Sequence, residues 1–283
     1  MLSLHTNNAA LSAQNSISKT QSNLSTSMTR LSTGYRINSA MDDAAGLQIA
    51  SRLKAQTSGM TVAMRNTSNS TSMLQTAEGA LDEVSNMLIR MKDLATQAAD
   101  ASSTDKDKTA MQAEYDALGT ELGNVLKNTT FGGSKLLAGG TVAASMTFQI
   151  GAASTETMTV NLAADMTAVV SDVTSATASY AAGAAGTELT SAANGAISKL
   201  ETALASVNKV RSGLGAAANR LEHVYNNLSN ISTNTKAATG QIMDVDFASE
   251  SANMTSNQML LQASTAMLKQ SNSMSSMVMS LLQ

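Results

Sequence analysis

Apolar residues in this chain fall into long rows with a helical period. From Leu74 onward, Leu74, Ala77, Leu81, Val84, Leu88, Met91 and Ala95 alternate by 3 and 4 positions. The alternation returns in Met111, Tyr115, Leu118, Leu122 and Val125. It returns again in Leu200, Leu204, Val207, Leu214, Ala218, Leu221, Tyr225 and Leu228, with Arg211 standing where an apolar residue is due. A repeat of about 3.5 residues keeps one stripe facing a partner helix over many turns. Three segments holding it predict coiled-coil packing. The expected helices run from near Met41 through Ala95, over about 105–127 and over about 190–236.

Both ends of the chain carry looser apolar rows. A first helix over about 4–32 holds Leu4, Leu11, Ile17, Leu24, Met28 and Leu31. A last helix over about 247–282 holds Met254, Leu261 and Leu268 seven apart, with Leu260, Met267 and Met274 beside them. Met277 and Leu281 follow four apart. Neither row has a facing partner nearby in sequence, so the distant end of the chain or another molecule must cover it. Isolated helices are marginal in water, and the ends are expected to be mobile in a monomer and to become helical on polymerisation.

The breaks between rows have their own chemistry. Gly34 can take the positive φ that ends the first helix, and Asn38 or Ser39 can cap the second. Ser39 with Asp42 fits a loose capping box, and Asp42-Asp43 then lie in a first turn. Ser102-Ser103-Thr104-Asp105 reads as a turn, with Thr104 and Asp107 spaced for a cap, and Asp246 suits the start of the last helix. A single stretch reads as sheet: Met146, Phe148 and Ile150 alternate, residues 151–156 turn, and Met158, Val160 and Leu162 alternate again. Residues 163–188, rich in Ala, Ser, Thr and Gly, are expected to be an exposed, variable connection.

Composition sharpens this picture. Aromatics make up 2% of the 283 residues and Trp is absent, while 19 Met join the aliphatics in a 43% hydrophobic fraction. Such a chain builds thin cores that Leu and Met can fill, as between two or three helices. No proline occurs, which suits long unbroken helices. Net charge is −3, which offers no basic footprint for nucleic acid. The absence of cysteine removes disulfides, thiolate metal sites and thiol nucleophiles. The stretch Met1-Leu2-Ser3-Leu4-His5-Thr6 lacks the charged and apolar regions of a cleaved signal peptide, and no apolar run is long enough to span a membrane. By that reading the chain is cytoplasmic, or exported by a route that reads no such signal.

Candidate chemistry is sparse. His5 and His223 lie far apart, and neither has ligand spacing to another histidine or a carboxylate cluster. Asp42 and Asp43 point about 100° apart on a helix, so capping fits them better than acid–base work. Gly132-Gly133-Ser134-Lys135 lacks the spacing of a phosphate loop and reads as a turn. No enzyme, cofactor or metal is expected.

Longer runs carry a resemblance. Leu31-Ser32-Thr33-Gly34-Tyr35-Arg36-Ile37-Asn38-Ser39-Ala40-Met41-Asp42-Asp43-Ala44-Ala45-Gly46 closely resembles the N-terminal signature of bacterial flagellins. So do Thr76-Ala77-Glu78-Gly79-Ala80-Leu81 and Leu88-Ile89-Arg90-Met91-Lys92-Asp93-Leu94-Ala95. Arg211-Ser212-Gly213-Leu214-Gly215-Ala216, Asn219-Arg220-Leu221, Asp244-Val245-Asp246-Phe247-Ala248-Ser249-Glu250 and Ser280-Leu281-Leu282-Gln283 resemble the matching C-terminal region. The likeness covers about residues 1–140 and 190–283.

The resemblance implies a mainly α fold, in which the N- and C-terminal halves form long antiparallel coiled-coil helices with a small β-hairpin region between them. Residues 1–41 would be the inner-domain helix and the start of a spoke, and 246–283 its C-terminal partner helix lining a filament channel. Residues 42–140 and 189–245 would form the outer coiled-coil domain, with 141–188 a hairpin and short variable region in place of further outer domains. It implies a secreted, extracellular subunit that self-assembles into the flagellar filament, with polymer contacts at Leu24, Met28, Leu31, Leu261, Leu268 and Leu281. Implied partners are other copies of the chain, hook-associated junction and cap proteins and an export chaperone of a type III-style route. A vertebrate flagellin-sensing Toll-like receptor would meet Arg90, Leu94 and Glu114. This chain departs from that receptor motif at Ile89, usually Gln, and at Lys92-Asp93, usually Arg-Glu. Two rivals stand beside this reading. A hook–filament junction protein shares the fold but resembles the Asp42–Gly46 stretch less, and a signalling coiled coil would need membrane spans or a hairpin tip.

Overall fold

The 3-and-4 rows become helices because each supplies one apolar stripe for a partner to cover. The computed structural model describes residues 7–180 and 185–281, with the side chains of 275, 276 and 278–281 outside that description. Leu4, His5 and the side chain of Leu281 therefore lie outside the described residues. The helices are α1 (Asn8–Thr33), α2 (Ala44–Ala98), α3 (Asp105–Asn128), α4 (Ala163–Ala176), α5 (Glu188–Met243) and α6 (Phe247–Leu281). The strands are β1 (Thr130–Phe131), β2 (Ser134–Lys135), β3 (Ser145–Gln149) and β4 (Thr157–Asn161). The chain divides into two compact units, one of residues 57–232 and one of residues 1–56 with 233–283.

In the 57–232 unit, the larger of two hydrophobic clusters gathers the rows of three helices. Leu74, Leu81, Leu88 and Met91 of α2 join Tyr115, Leu122 and Leu126 of α3, with Leu200, Val207, Leu214 and Leu221 of α5. Helices α2 and α5 run antiparallel: Glu78 and Asp82 pair with Arg211, while Lys92 pairs with Glu201. Arg211 does not break the α5 row. Val210 fills the core position beside it, and the guanidinium reaches Glu78 and Asp82, each at 2.8 Å. The buried Tyr115 donates its hydroxyl to the carbonyl of Ala176 at 2.7 Å. Burial beside Glu188 and Asp116 holds that phenol well above its ordinary pKa.

The expected hairpin forms with β3 and β4 antiparallel, Met146 opposite Val160 and Phe148 opposite Met158. Met146, Met158 and Val160 turn inward to the core. The Gly132-Gly133 turn joins a second, two-residue ladder of β1 and β2. Its two glycines take φ of 57° and 84°, the left-handed pair that a tight hairpin turn requires.

Residues 163–188 are not simply an exposed connection. Residues 163–176 form α4, whose Met166, Val169, Val173 and Ala176 are fully buried, and Ala178–Tyr180 adds one 3₁₀ turn. Those four residues are spaced 3, 4 and 3, a row short enough to be masked by the surrounding Ala, Ser and Thr. Gly119 and Gly123 of α3 leave room for this segment: a Cβ on Gly123 would stand 3.1 Å from the Tyr180 carbonyl oxygen.

Caps follow the sequence with one correction. Thr104 and Asp107 make a reciprocal capping box at the start of α3, and Asp246 accepts the Ala248 N–H at 3.0 Å at the start of α6. The start of α2 is capped by neither Asn38 nor Ser39. Asp43 accepts the Gly46 N–H at 2.8 Å, and Asp42 closes the preceding loop by accepting the N–H groups of Asn38 and Ser39. The helix starts at Ala44, about three residues later than the pattern suggested, and Ile37 in the preceding loop is buried at 2% exposure.

Candidate assembly surface

The terminal rows meet as an antiparallel pair of helices. Asn7 caps α1 by accepting the Ala10 N–H at 3.1 Å, and its amide also donates to Ser271 of α6. At the other end of α1, Arg30 faces Glu250 at 3.8 Å. On α1 the covered seam is Ala13, Ile17, Thr20, Leu24, Ser27 and Leu31, and on α6 it is Met254, Asn257, Leu261, Ser264, Leu268 and Ser271. Both sets step by 3 and 4, the heptad spacing of a coiled coil.

That pairing sorts the expected polymer contacts into two groups. Leu24, Leu31, Leu261 and Leu268 are half-buried in the seam between α1 and α6. Met28 stands outside it, 56% exposed, and is joined by Leu11 on α1 and by Met259, Leu260, Met267 and Met274 on α6. Leu260, Met267 and Met274 form their own seven-residue row, about 100° around the helix from Leu261 and Leu268. A single partner helix covers one stripe, so this second row stays bare. It is the part of the surface that the expected contact set left out. Its signal in the sequence was the doubled row, which one seam cannot absorb.

The junction after α1 is built for close approach of two strands of backbone. Gly34 ends α1 with φ 76°, a left-handed cap that glycine takes without a Cβ clash. Tyr35 then bridges Asp244 antiparallel, with the Arg36 N–H on the Met243 carbonyl and the Val245 N–H on the Gly34 carbonyl. The Arg36 guanidinium donates to the Ile242 carbonyl at 3.0 Å. These bonds tie the end of α5 to the loop that follows α1.

In the 57–232 unit the expected receptor residues separate. Arg90 donates from Nε and Nη2 to Glu114 Oε1 at 2.9 and 2.6 Å, and both side chains are exposed. Ile89 beside them is also exposed. Leu94 is a correction: at 3% exposure it belongs to the core, packed with Met91, Ala95 and Ala98 on the inner face of α2. It offers no surface for a partner. Among the described residues no group of three metal-ligating side chains occurs, and no helix is long and apolar enough to cross a membrane. His223 sits on the exposed side of α5.

Paired terminal helices, a helical core of thin Leu/Met seams and a bare apolar row on α6 define a class: long-helix structural proteins. The chain belongs to the bacterial flagellin family. Residues 4–141 match the bacterial flagellin N-terminal helical region and residues 197–282 the bacterial flagellin C-terminal helical region. Flagellin A of Vibrio anguillarum is 33% identical, with both chains covered in full. A flagellin of Halalkalibacterium halodurans is 38% identical over 90% of each chain. A solved structure from Vibrio parahaemolyticus, described as a flagellar hook-associated protein, shares the fold at TM-score 0.59 and 18% identity, over 72% of this chain and all of that one. The protein is a structural subunit of the flagellar filament and not an enzyme. The alignment with the Vibrio anguillarum relative runs over 379 positions against 283 residues here, so that relative carries inserted segments which this chain lacks.

Proposed function

We propose that α1 and α6 polymerise the chain by burying the apolar side chains that their pairing leaves bare, Leu11, Met28, Met259, Leu260, Met267 and Met274, against the same helices of neighbouring copies. The single observation carrying this is the second apolar row, which the intramolecular pair leaves exposed. Leu24, Leu31, Leu261 and Leu268 serve the polymer indirectly, by holding the two helices together so that the row stays continuous. Burying such side chains contributes about 1.5–3 kcal/mol each, repeated at every subunit. Residues 1–41 and 246–283 then make the inner wall of the filament, where their Ser, Thr, Asn and Gln keep the channel wet. Residues 42–140 and 189–245 make the outer domain.

The filament is extracellular, and the chain reaches it through an export chaperone and meets junction and cap proteins at the filament's ends. The exposed Arg90–Glu114 pair is the contact for the flagellin-sensing Toll-like receptor. Full-length chain carrying Leu260→Glu and Met267→Glu should keep its helical circular dichroism and form no filaments by electron microscopy. Filaments of normal length from that variant would overturn the assembly surface. Receptor activation that survives Arg90→Ala with Glu114→Ala would remove the receptor site.

A further inference from the structure

Methionine is distributed differently in the two units. In the 57–232 unit Met60, Met91, Met111, Met146, Met158 and Met166 are at 9% exposure or less, and Met64, Met73 and Met87 are partly buried against the same clusters. In the unit of the chain ends, Met28, Met259, Met267, Met274 and Met277 are 53–69% exposed, and Met41, in the loop before α2, is 97% exposed. The chain has no cysteine, so no thiol competes with these thioethers as the softest nucleophiles present.

We propose that Met28, Met259, Met267 and Met274 are a modification site for two-electron oxidants of the peroxide or hypohalous acid class, and that their sulfoxidation switches off assembly. The inference rests on the assembly surface proposed above. With hydrogen peroxide, the sulfur lone pair attacks one peroxide oxygen, an S–O bond forms as the O–O bond breaks, and water leaves. Sulfur is oxidised by two electrons and the peroxide is reduced by two. The product is polar and chiral where an apolar, flexible side chain stood. Two consequences follow from burial. The unassembled chain reacts at its ends and keeps its folded core, because the core sulfurs are covered. In the filament, neighbouring copies cover the same sulfurs and protect them.

A sulfoxide oxygen buried without a donor weakens the contact, and each one raises the critical concentration for polymerisation about tenfold. The test treats purified full-length monomer with limiting hydrogen peroxide, maps sulfoxides by peptide mass spectrometry and measures critical concentration before and after. Expected are early sulfoxides at the four sites, with Met41 and Met277 reacting alongside them, unchanged Met91 and Met166, unchanged circular dichroism and a raised critical concentration that a methionine sulfoxide reductase restores. Assembled filaments given the same dose should show the four sites protected. A full-length variant with all four changed to Leu should assemble and keep its critical concentration after the same dose, although Met41 and Met277 are still oxidised. If it does not assemble, reductase rescue of the oxidised natural chain decides the question. The proposal is overturned if the four sites react no faster than Met91 and Met166, or if oxidised monomer polymerises at the untreated critical concentration. Untreated monomer that never polymerises would strike the assembly surface itself, and the assembly half of this proposal with it.

Discussion

Arg90 and Leu94 lie one helical turn apart on α2 and meet opposite surroundings. The arginine's long stem carries its charge outward to Glu114, whereas the leucine turns under toward Met91 and Ala98. Leu94→Ala is therefore expected to cost about 2–4 kcal/mol in denaturant unfolding, while Arg90→Ala costs under about 1 kcal/mol. Equal losses would mean that the two share one environment. Asp107 gives a test by pH. Its bond from the Thr104 hydroxyl, then that from the Thr104 N–H, holds its carboxyl below the ordinary 3.8. The folded state thus binds a proton less readily than the unfolded one. Its stabilisation is complete above the ordinary value and is lost as pH falls through the depressed one. Thermal melts should place Asp107→Asn below the natural chain at neutral pH, with the gap closing as pH drops below 3.8. A gap unchanged in acid would show that the carboxylate is not what caps α3.

Among the elements, α2, α3, α5 and the hairpin were legible because their rows are long or strictly alternating. Helix α4 was not, since its row of Met166, Val169, Val173 and Ala176 spans little more than three turns amid Ala and Thr. What makes it a helix is cover: Tyr115 takes the Ala176 carbonyl, and the apolar row joins the core of α2, α3 and α5. Met166→Ala should accordingly destabilise the chain by about 2–5 kcal/mol. An exposed connection would register within about 0.5 kcal/mol in the same unfolding experiment. The polar bonds around α4 were equally hidden. Gln112 donates to Asp116 and Glu188 while accepting the Leu189 N–H, linking positions more than 70 residues apart that no local pattern relates.

For the whole molecule, burial is uneven. The core residues of the 57–232 unit are covered on several sides, whereas α1 and α6 cover each other along one stripe and leave the other to solvent. Local opening is easiest where few apolar contacts are buried. In dilute monomer, amide exchange should be fastest in α1 and α6 and slowest in the middle of α2 and α5. On assembly the terminal helices should gain the larger protection. Terminal helices as protected in the monomer as the middle of α2 would contradict that order, and with it the dependence of the ends on other copies.

The sequence by itself determined the long helices α1, α2, α3, α5 and α6, where the β3–β4 hairpin turns and which family the chain belongs to. Period, caps and motif runs are local properties, and each acts within a few residues of backbone. Only the tertiary structure decided that Leu24, Leu31, Leu261 and Leu268 spend themselves inside one molecule while Met28, Leu260, Met267 and Met274 remain exposed. It also decided that Leu94 is core. Two apolar rows on one helix look alike along the chain, and which of them is covered depends on a partner that arrives from the far end of the polypeptide.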